Sequence, residues 1–364
     1  MKVVKIFGAG SIGNHLAHAS RSLGYEVVMC DVDQAALDRT KNEIYPKRYG
    51  VWDHDILLCK PENAPKQEYD LMIVGTPPDT HMEIALSALA EKPKAILIEK
   101  PLCGPDIKSL GRLYELATEQ STKLFVGYDH VVGWGAAEFC KQYLANEFGR
   151  SLTLDVEFRE HWGGIFSAHP WLSGPWETYL GFSHKGGGAL GEHSHALNLW
   201  QFFARKLSHG RIIEVQAKLD MVIDDKVEYD SMSFLNLTTE TGFTGRCVQD
   251  VVTMPSRKCA SIQGEQGTIA LKLSPQKDLI TLSKNGAPDE TLSFEKTRPD
   301  DFIRELLHIN ECIFSDRIDS PISYEYGAET MLVIAAAHMS NKFGRTVYID
   351  YSKGYHKEAL SFDK

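Results

Sequence analysis

The feature that most constrains this chain is a glycine motif near its start. The motif reads G-x-G-x-x-G and includes Gly8, Gly10, Ser11, Ile12 and Gly13. A short apolar run, residues 3–8, leads into it, and residues 11–23 have the composition of a helix. Between a strand and a helix, the first glycine permits a tight turn, the second lets backbone N–H groups approach a pyrophosphate, and the third allows close packing. The motif therefore predicts a dinucleotide site.

An acidic residue stands where such a site needs one. Asp31 ends the next apolar run, residues 26–31, and is expected to bind the ribose hydroxyls of the adenosine. A carboxylate at this place repels a 2′-phosphate, and Val32 and Asp33 follow it instead of Arg or Lys. NAD is therefore favoured over NADP. Asp33 is interpreted as the N-cap of the next helix.

The first part of the chain alternates short apolar runs with helical stretches. Further apolar runs lie at residues 70–75, 95–99 and 123–127, and helical stretches at 33–41, 79–91 and 105–120. Apolar runs of this length, separated by helices, are typical of a parallel sheet buried on both faces. This pattern predicts an α/β domain over residues 1–127.

After about residue 150 the hydrophobic period changes. Apolar and polar residues alternate over 214–221 and again over 269–273, and turn signals such as Asn285-Gly286 separate such runs. A period of two indicates strands with one buried face, as in an antiparallel sheet. Helical stretches at 301–315 and 324–343 close the chain. We therefore predict a second, α+β domain over residues 128–364, built on an open-faced, mostly antiparallel sheet.

Composition excludes several classes of partner. The chain carries 39 Lys and Arg against 49 Asp and Glu, a net charge of −10, which argues against nucleic acid. Its longest wholly apolar run, residues 331–337, is too short for a membrane span, and the N-terminal residues do not resemble a signal peptide. Seven Cys without a C-x-x-C pair predict neither a disulfide framework nor a zinc site. A cytoplasmic protein without a metal is expected.

Three further segments give the chain a family resemblance. They are Thr76-Pro77 followed by His81, Glu99-Lys100-Pro101 after an apolar run, and a triple glycine at 186–188 that precedes Glu192 and His195. Together with the glycine motif, they resemble the glucose-fructose oxidoreductase / inositol dehydrogenase / MocA (Gfo/Idh/MocA) family over nearly the whole chain.

The resemblance implies an N-terminal Rossmann domain, a doubly wound parallel sheet, followed by the open-faced sheet domain. It places NAD at the carboxyl ends of the parallel strands, with Thr76, Pro77, His81, Glu99 and Lys100 around the cofactor. It also implies a sugar-like small-molecule substrate and a homodimer or homotetramer built through the second sheet.

The resemblance and the chemistry of alcohol oxidation together predict the catalytic residues. His195 suits the base that removes the hydroxyl proton, because its ordinary pKa lies near neutrality. Lys100 suits the positive group beside the developing alkoxide. If the strand continues through these residues, Glu99 is expected to point away from Lys100, since neighbours on a strand alternate faces.

Two departures from the family pattern affect the site. Gly191 stands where the family has an Asp four residues before its His, so Glu192 is the acidic candidate in this segment. If residues 189–203 form one helix, Glu192 and His195 share a face, and His193 does not. The second departure is Asp129-His130, where the family often has an Asn and an Arg-Phe.

A segment rich in rings, residues 159–185, has two interpretations. It contains Trp162, Trp171 and Trp176, together with several His. It is either a loop that covers the substrate or a minor core or subunit contact. A metal site built from these His together with His193 and His195 is a third and weaker alternative. The candidate substrate contacts are Asp129, His130, Trp162, Trp176 and His193.

Three functions remain open at this point. The leading hypothesis is an NAD-dependent dehydrogenase that oxidises a secondary hydroxyl of a sugar, polyol, amino sugar or nucleotide sugar, or catalyses the reverse reduction. The alternatives are a reductase of a non-sugar carbonyl or double bond, and a non-enzymatic regulator that senses dinucleotide on the same scaffold.

Overall fold

The N-terminal part of the chain folds around a parallel sheet. A computed structural model describes residues 2–145, 148–169, 171–315 and 319–363. The first sheet contains β1 Val3–Phe7, β2 Glu26–Cys30, β3 Ile56–Cys59, β4 Leu71–Val74, β5 Ala95–Ile98 and β6 Lys123–Val126. Its six strands run in the order β3-β2-β1-β4-β5-β6, and all neighbours are parallel. The strand order reverses between β1 and β4, which opens a crevice at their carboxyl ends.

Helices cover this sheet on both faces and follow the predicted alternation. They are α1 Ser11–Ser22, α2 Gln34–Arg39, α3 Tyr45–Tyr49, α4 Pro78–Ala90 and α5 Leu110–Gln120. The predicted doubly wound fold is confirmed, because every predicted run forms a strand within one or two residues of its expected bounds. The sequence analysis missed the edge strand β3, whose run of four residues is too short to show a period.

The second sheet is larger and mixed. It contains β7 Ser151–Arg159, β8 Ile212–Ile223, β9 Glu228–Thr239, β10 Thr244–Asp250, β11 Arg257–Gly264, β12 Gly267–Leu273, β13 Lys277–Lys284, β14 Glu290–Glu295, β15 Val347–Ile349 and β16 Leu360–Ser361. The ten strands run in the order β14-β13-β12-β11-β7-β10-β9-β8-β15-β16. The pairing of β10 with β7 is parallel, and the other pairings are antiparallel. The prediction of a mostly antiparallel second sheet is confirmed.

The remaining helices are α6 Trp134–Ala145, α7 Gly163–Ala168, α8 Gly188–Glu192, α9 Ser194–Lys206, α10 Arg298–Phe314 and α11 Tyr324–Phe343. Helix α9 packs on the second sheet, where the buried Trp200 indole donates to the Leu154 carbonyl at 3.0 Å. Among the described residues, no helix combines the length and apolar character that crossing a membrane requires.

The closing helices join the two sheets. On α10, Phe302 stacks on His15 of α1 with ring centres 4.8 Å apart. At the start of α11, the Tyr324 hydroxyl donates to the Leu110 carbonyl of α5 at 2.9 Å. The division of the chain into two domains between residues 127 and 128 stays a prediction. Helices α10 and α11, which follow the second sheet's long strands, pack on α1 and α5 of the first sheet.

Candidate active site

The glycine motif forms a cradle whose shape fits a pyrophosphate. Gly8 has φ +104°, and a Cβ there would lie 2.6 Å from the Gly75 oxygen. A Cβ at Gly13 would lie 2.0 Å from the Gly8 oxygen, so the turn and α1 are in close contact. A Cβ at Gly10, by contrast, would meet no atom within 4 Å. The open side of the cradle therefore lies at Gly10, where the α1 N-terminus can accept an anion.

Asp31 shapes the same turn. Its carboxylate accepts from the Ala9 N–H at 2.8 Å and from the Asp33 N–H at 2.9 Å. Asp33 accepts from the Ala35 N–H at 2.9 Å, so its predicted N-cap role is confirmed. Asp31 remains partly exposed at the carboxyl end of β2. Its predicted contact with ribose stays a prediction, and the structure adds its role in holding the glycine turn.

Two arginines that the sequence analysis missed lie near the cradle. Arg48 donates to the carbonyl and the hydroxyl of Ser11, each at 2.7 Å. Arg298 begins α10 and lines the cavity next to the motif. Neither could be found from sequence, because each is far from the motif along the chain and no local pattern marks it.

A cavity of about 500 Å³ extends from the cradle toward the second sheet. It brings together most of the predicted site residues: Gly10, Ser11, Ile12, Thr76, Pro77, Glu99, Lys100, Asp129, His130, Glu192, His193 and His195. These residues come from five separate segments of the sequence. The cofactor cradle and the candidate catalytic groups therefore share one cavity.

His81 lies beneath this cavity. It is fully buried, and its ring nitrogens lie 2.6 Å from the Thr76 oxygen and 3.0 Å from the Pro101 oxygen. Burial lowers the pKa of His81 to about 4. The residue thus holds together the two loops that carry the other predicted cofactor contacts.

Lys100 connects the first sheet to α8. Its Nζ donates to the Glu192 carbonyl oxygen at 2.8 Å and lies 3.4 Å from the Glu192 carboxylate. Glu99 also lines the cavity, and burial raises its pKa to about 8. The strand does not continue through these residues, because β5 ends at Ile98, so the alternation of faces expected for a continuing strand does not apply to Glu99 and Lys100.

The segment after the triple glycine is two helices rather than one. Helix α8 ends at Glu192, and α9 begins at Ser194. The condition of one continuous helix is therefore not met, and His193, at the break, lines the cavity together with Glu192 and His195. Burial lowers the pKa of His193 to about 4.

Asp129, His130 and His195 form a compact cluster. The Asp129 carboxylate lies 2.5 Å from His130 Nδ1 and 3.7 Å from His195 Nδ1, and the two rings stack with centres 4.4 Å apart. Burial, followed by the neighbouring His130, lowers the pKa of His195 well below its usual value. Burial alone would raise the pKa of Asp129, but His130 lowers it well below its usual range.

We assign no metal to this cluster. Its three candidate donor atoms lie within 4.8 Å of one another. The two imidazole planes, however, are only 27° apart. The Nδ1 lone pairs lie in those planes, so they run side by side instead of converging on one ion.

The ring-rich segment is divided between the cavity wall and a small core. Ile165, His169, Leu172, Thr178, Tyr179 and Leu180 line the cavity. Trp162 instead packs in a small core with Val251, and Trp176 is 43% exposed beside Lys226. The structure thus places these two candidate substrate contacts outside the cavity lining. The guanidinium carbon of Arg39 lies 5.0 Å from the centre of the Trp171 ring. The ring-rich segment therefore contacts the end of α2.

Further polar residues of the cavity were missed. Lys258 on β11 pairs with Glu160 at 2.6 Å, and both line the cavity. Glu305 on α10 is fully buried, and neither of its carboxyl oxygens has a hydrogen-bond partner among the described residues. Burial raises the pKa of Glu305 well above its usual value. Burial therefore favours the protonated form of Glu305 over the carboxylate.

Residues 2–128 match the profile of the GFO_IDH_MocA family, described as an oxidoreductase family with an NAD-binding Rossmann fold. The N-terminal part of the chain is therefore similar to the Gfo/Idh/MocA oxidoreductases, as its sequence motifs suggest. The family's nucleotide, NAD, is the cofactor that Asp31 predicts. A comparison with curated proteins finds no significant match.

Solved structures extend the likeness from the N-terminal part to nearly the whole chain. A levoglucosan dehydrogenase solved with NADH has a TM-score of 0.76 at 17% identity, with 96% of this chain and 99% of that chain covered. An NAD-binding oxidoreductase from Klebsiella pneumoniae has a TM-score of 0.75 at 18% identity, covering 95% and 98%. A myo-inositol dehydrogenase from Corynebacterium glutamicum has a TM-score of 0.70 at 19% identity, covering 96% and 99%. At these identities the likeness shows the shared fold.

Proposed function

We propose that this protein is an NAD-dependent dehydrogenase that oxidises a secondary hydroxyl of a sugar, polyol, amino sugar or nucleotide sugar, or catalyses the reverse reduction. The observation that carries the proposal is one cavity with the dinucleotide cradle at one end and Lys100 and His195 on its wall. Structural neighbours that include levoglucosan, myo-inositol and aldose–aldose oxidoreductases support the substrate class.

The chain's own residues account for cofactor binding. The N–H groups at Gly10, Ser11 and Ile12 would hold the pyrophosphate, with Arg298 close to the same end of the cavity. Asp31 would bind the ribose, and Thr76 and Glu99 would lie toward the nicotinamide. The chemistry supplied by bound NAD⁺ is acceptance of a hydride from the carbinol carbon, which leaves the hydroxyl proton for the protein to remove.

His195 takes that proton in the proposed mechanism. Burial and His130 lower its pKa well below the usual value, so the imidazole is neutral near pH 7 and able to accept a proton. Lys100 has three N–H groups. Two of them face the Glu192 carbonyl and carboxylate, and the third is available to the substrate oxygen. In this proposal Glu192 orients Lys100, and Lys100 stabilises the negative charge that develops on that oxygen.

The rest of the cavity suits a polyhydroxylated substrate. Its wall carries His130, His193, the Lys258–Glu160 pair and Glu305. Sugar hydroxyls both donate and accept hydrogen bonds, and this wall offers both kinds of partner. The segment that contributes Tyr179 would exclude water from the bound substrate.

The second sheet also supports a proposed homodimer or homotetramer. On its outer face Phe234 remains 40% exposed, and Arg246 pairs with Asp155 at 3.1 Å beside it. A second copy of the chain is the proposed cover for this face. Light scattering at micromolar concentration tests it, and a pure monomer would contradict it.

A dehydrogenase screen tests the proposed function. Purified protein is incubated with NAD⁺ and a panel of polyols, free sugars, amino sugars and nucleotide sugars, and NADH is followed by its absorbance. We expect turnover with members of one of these classes and much weaker turnover with NADP⁺. NAD binding without turnover on any of them would favour the regulator, and reduction of a non-sugar carbonyl with NADH would favour the other alternative.

A further inference from the structure

We propose that Asp129 is the positioning residue of His195 and supplies, from the loop after β6, the carboxylate that the chain lacks at position 191. The inference rests on the proposed function, in which His195 is the base. It concerns the orientation and tautomer of one imidazole, which can be measured without a substrate.

Position 191 has no room for a carboxylate. A Cβ built on Gly191 would lie 1.9 Å from the Gly186 oxygen and 2.6 Å from its carbonyl carbon. Both atoms are backbone, so the turn of the triple glycine would have to shift to admit any side chain. The packing of α8 against this turn thus explains why the acidic residue is missing here, and any carboxylate partner of His195 must come from another element.

The loop after β6 provides one. Asp129 begins the short 3₁₀ helix Asp129–Val132, and its side chain is 7% exposed. Its Oδ1 lies 3.7 Å from His195 Nδ1, slightly beyond a hydrogen bond and near enough to act on the charge of the ring. That nitrogen is buried and has no hydrogen-bond partner among the described residues. A buried ring nitrogen next to an ionised carboxylate is the arrangement that orients a catalytic histidine.

The His195 ring is held from two sides. His130 stacks on it at 4.4 Å, and Tyr128 meets it edge-on at 5.5 Å. His130 also lies within hydrogen-bond distance of Asp129 Oδ1, at 2.5 Å. These contacts keep Nδ1 toward Asp129. A proton on Nδ1 then leaves Nε2 as the nitrogen that accepts the substrate proton.

The carboxylate also stabilises the imidazolium that forms during the reaction. The charged and titratable groups that act on His195 are Asp129 and His130 of the 3₁₀ helix, Lys100 at the end of β5 and Lys258 of β11. Asp129 raises the pKa of His195, whereas the three basic groups lower it. Removal of Asp129 and removal of His130 should therefore shift the His195 titration in opposite directions.

The test is NMR of ¹⁵N-histidine-labelled full-length protein, without substrate, across a pH series. His195→Gln assigns the resonances, and circular dichroism confirms that each variant is folded. In the wild type we expect the Nδ1–H tautomer. In Asp129→Asn we expect this preference to be lost and the titration midpoint to fall by about 0.5–1 pH unit. In His130→Phe, which keeps a stacking ring, the midpoint should rise.

Asp278→Asn is the matched control, because Asp278 is also a buried aspartate but pairs with Lys296, outside the cavity lining. It should leave the His195 spectrum unchanged. An unchanged tautomer and midpoint in Asp129→Asn would overturn the proposal, and so would shifts of the same sign in Asp129→Asn and His130→Phe. If the NMR result holds and the dehydrogenase screen finds no substrate, the proposed function fails while the positioning role stands.

Discussion

The Nζ of Lys100 donates to the main-chain oxygen of Glu192 at 2.8 Å and lies 3.4 Å from its carboxylate. Lys100 follows the end of strand β5 by two residues, and Glu192 is the last residue of the short helix α8. This contact fixes the ammonium group in the cavity and leaves one of its N–H groups uncommitted. An ammonium group held in this way could stabilise negative charge on a nearby substrate oxygen, the role proposed for Lys100.

Lys100→Met should abolish most turnover without affecting the cofactor. The methionine keeps the length of the stem but removes the charge, so we expect kcat to fall by about 10²–10³-fold. The affinity for NAD⁺, measured by calorimetry, should stay within a factor of about three, since the cradle does not involve this group. The matched control is Lys94→Met, which removes the exposed pair with Asp70. Equal turnover in both variants would contradict the assignment.

Two alanine substitutions in the glycine motif should have different effects. Gly10 has φ −83°, which alanine adopts, and its Cβ would project into the open side of the cradle. Gly10→Ala should therefore keep the wild-type melting temperature and weaken NAD⁺ binding by about tenfold or more.

Gly13→Ala should destabilise the fold itself, because its Cβ would lie 2.0 Å from the Gly8 oxygen. Thermal denaturation and calorimetry separate the two effects. A Gly10→Ala protein that binds NAD⁺ as well as the wild type would show that the pyrophosphate lies elsewhere.

Asp31→Asn should change the choice of cofactor. The substitution removes the charge that repels a 2′-phosphate, so the ratio of NADP⁺ to NAD⁺ affinity should rise by about tenfold. Absolute affinity for NAD⁺ should fall as well, since one amide cannot accept from both the Ala9 and Asp33 N–H groups. Calorimetric titration with each nucleotide measures the ratio. A constant ratio would mean that Asp31 does not face the ribose.

Asp230 should make the stability of the protein depend on pH. It is fully buried and accepts from the Leu190 N–H at 2.8 Å and the Ser183 hydroxyl at 2.9 Å, and burial raises its pKa to about 7. A carboxyl group with a raised pKa in the folded state stabilises the protein when protonated. This contribution is complete below about pH 4 and is lost as the pH rises through about 7.

Asp230→Asn removes that titration while keeping one acceptor. From pH 4 to pH 8, the wild type should lose the contribution of protonated Asp230 and the variant should not. The free energy of unfolding of the wild type should therefore fall by about 4 kcal/mol relative to that of the variant. Urea unfolding at both pH values measures the difference. A parallel pH dependence in the two proteins would contradict the raised pKa.

The fold could be predicted largely because its signals are local. An uninterrupted apolar run such as 95–98 indicates a strand buried on both faces. The glycine motif indicates a backbone conformation that few other residues adopt. Lys100 and His195 were predicted from short motifs that resemble those of the family. Both residues line the same cavity in the folded chain.

The parts that could not be predicted depend on contacts between distant segments. No local motif marks Arg48, Asp230 or Glu305. In the folded chain Arg48 contacts the cradle at Ser11, Asp230 contacts the segment after the triple glycine at Leu190, and Glu305 lines the cavity. The break at His193 carries no proline signal, so an uninterrupted helix was the reasonable expectation. The short distance from Asp129 to His195 was not predicted, because the family pattern directs attention to position 191, which the packing leaves without room.

The rate of NADH formation by the wild type and by His195→Gln, measured side by side at 340 nm on a substrate found by the screen, tests the central claim most directly. Gln keeps a polar side chain at the cavity wall but cannot accept the hydroxyl proton at neutral pH. The account predicts that kcat falls by about 10²–10⁴-fold while NAD⁺ binds with unchanged affinity. Wild-type turnover by His195→Gln would contradict the assignment of His195 as the base.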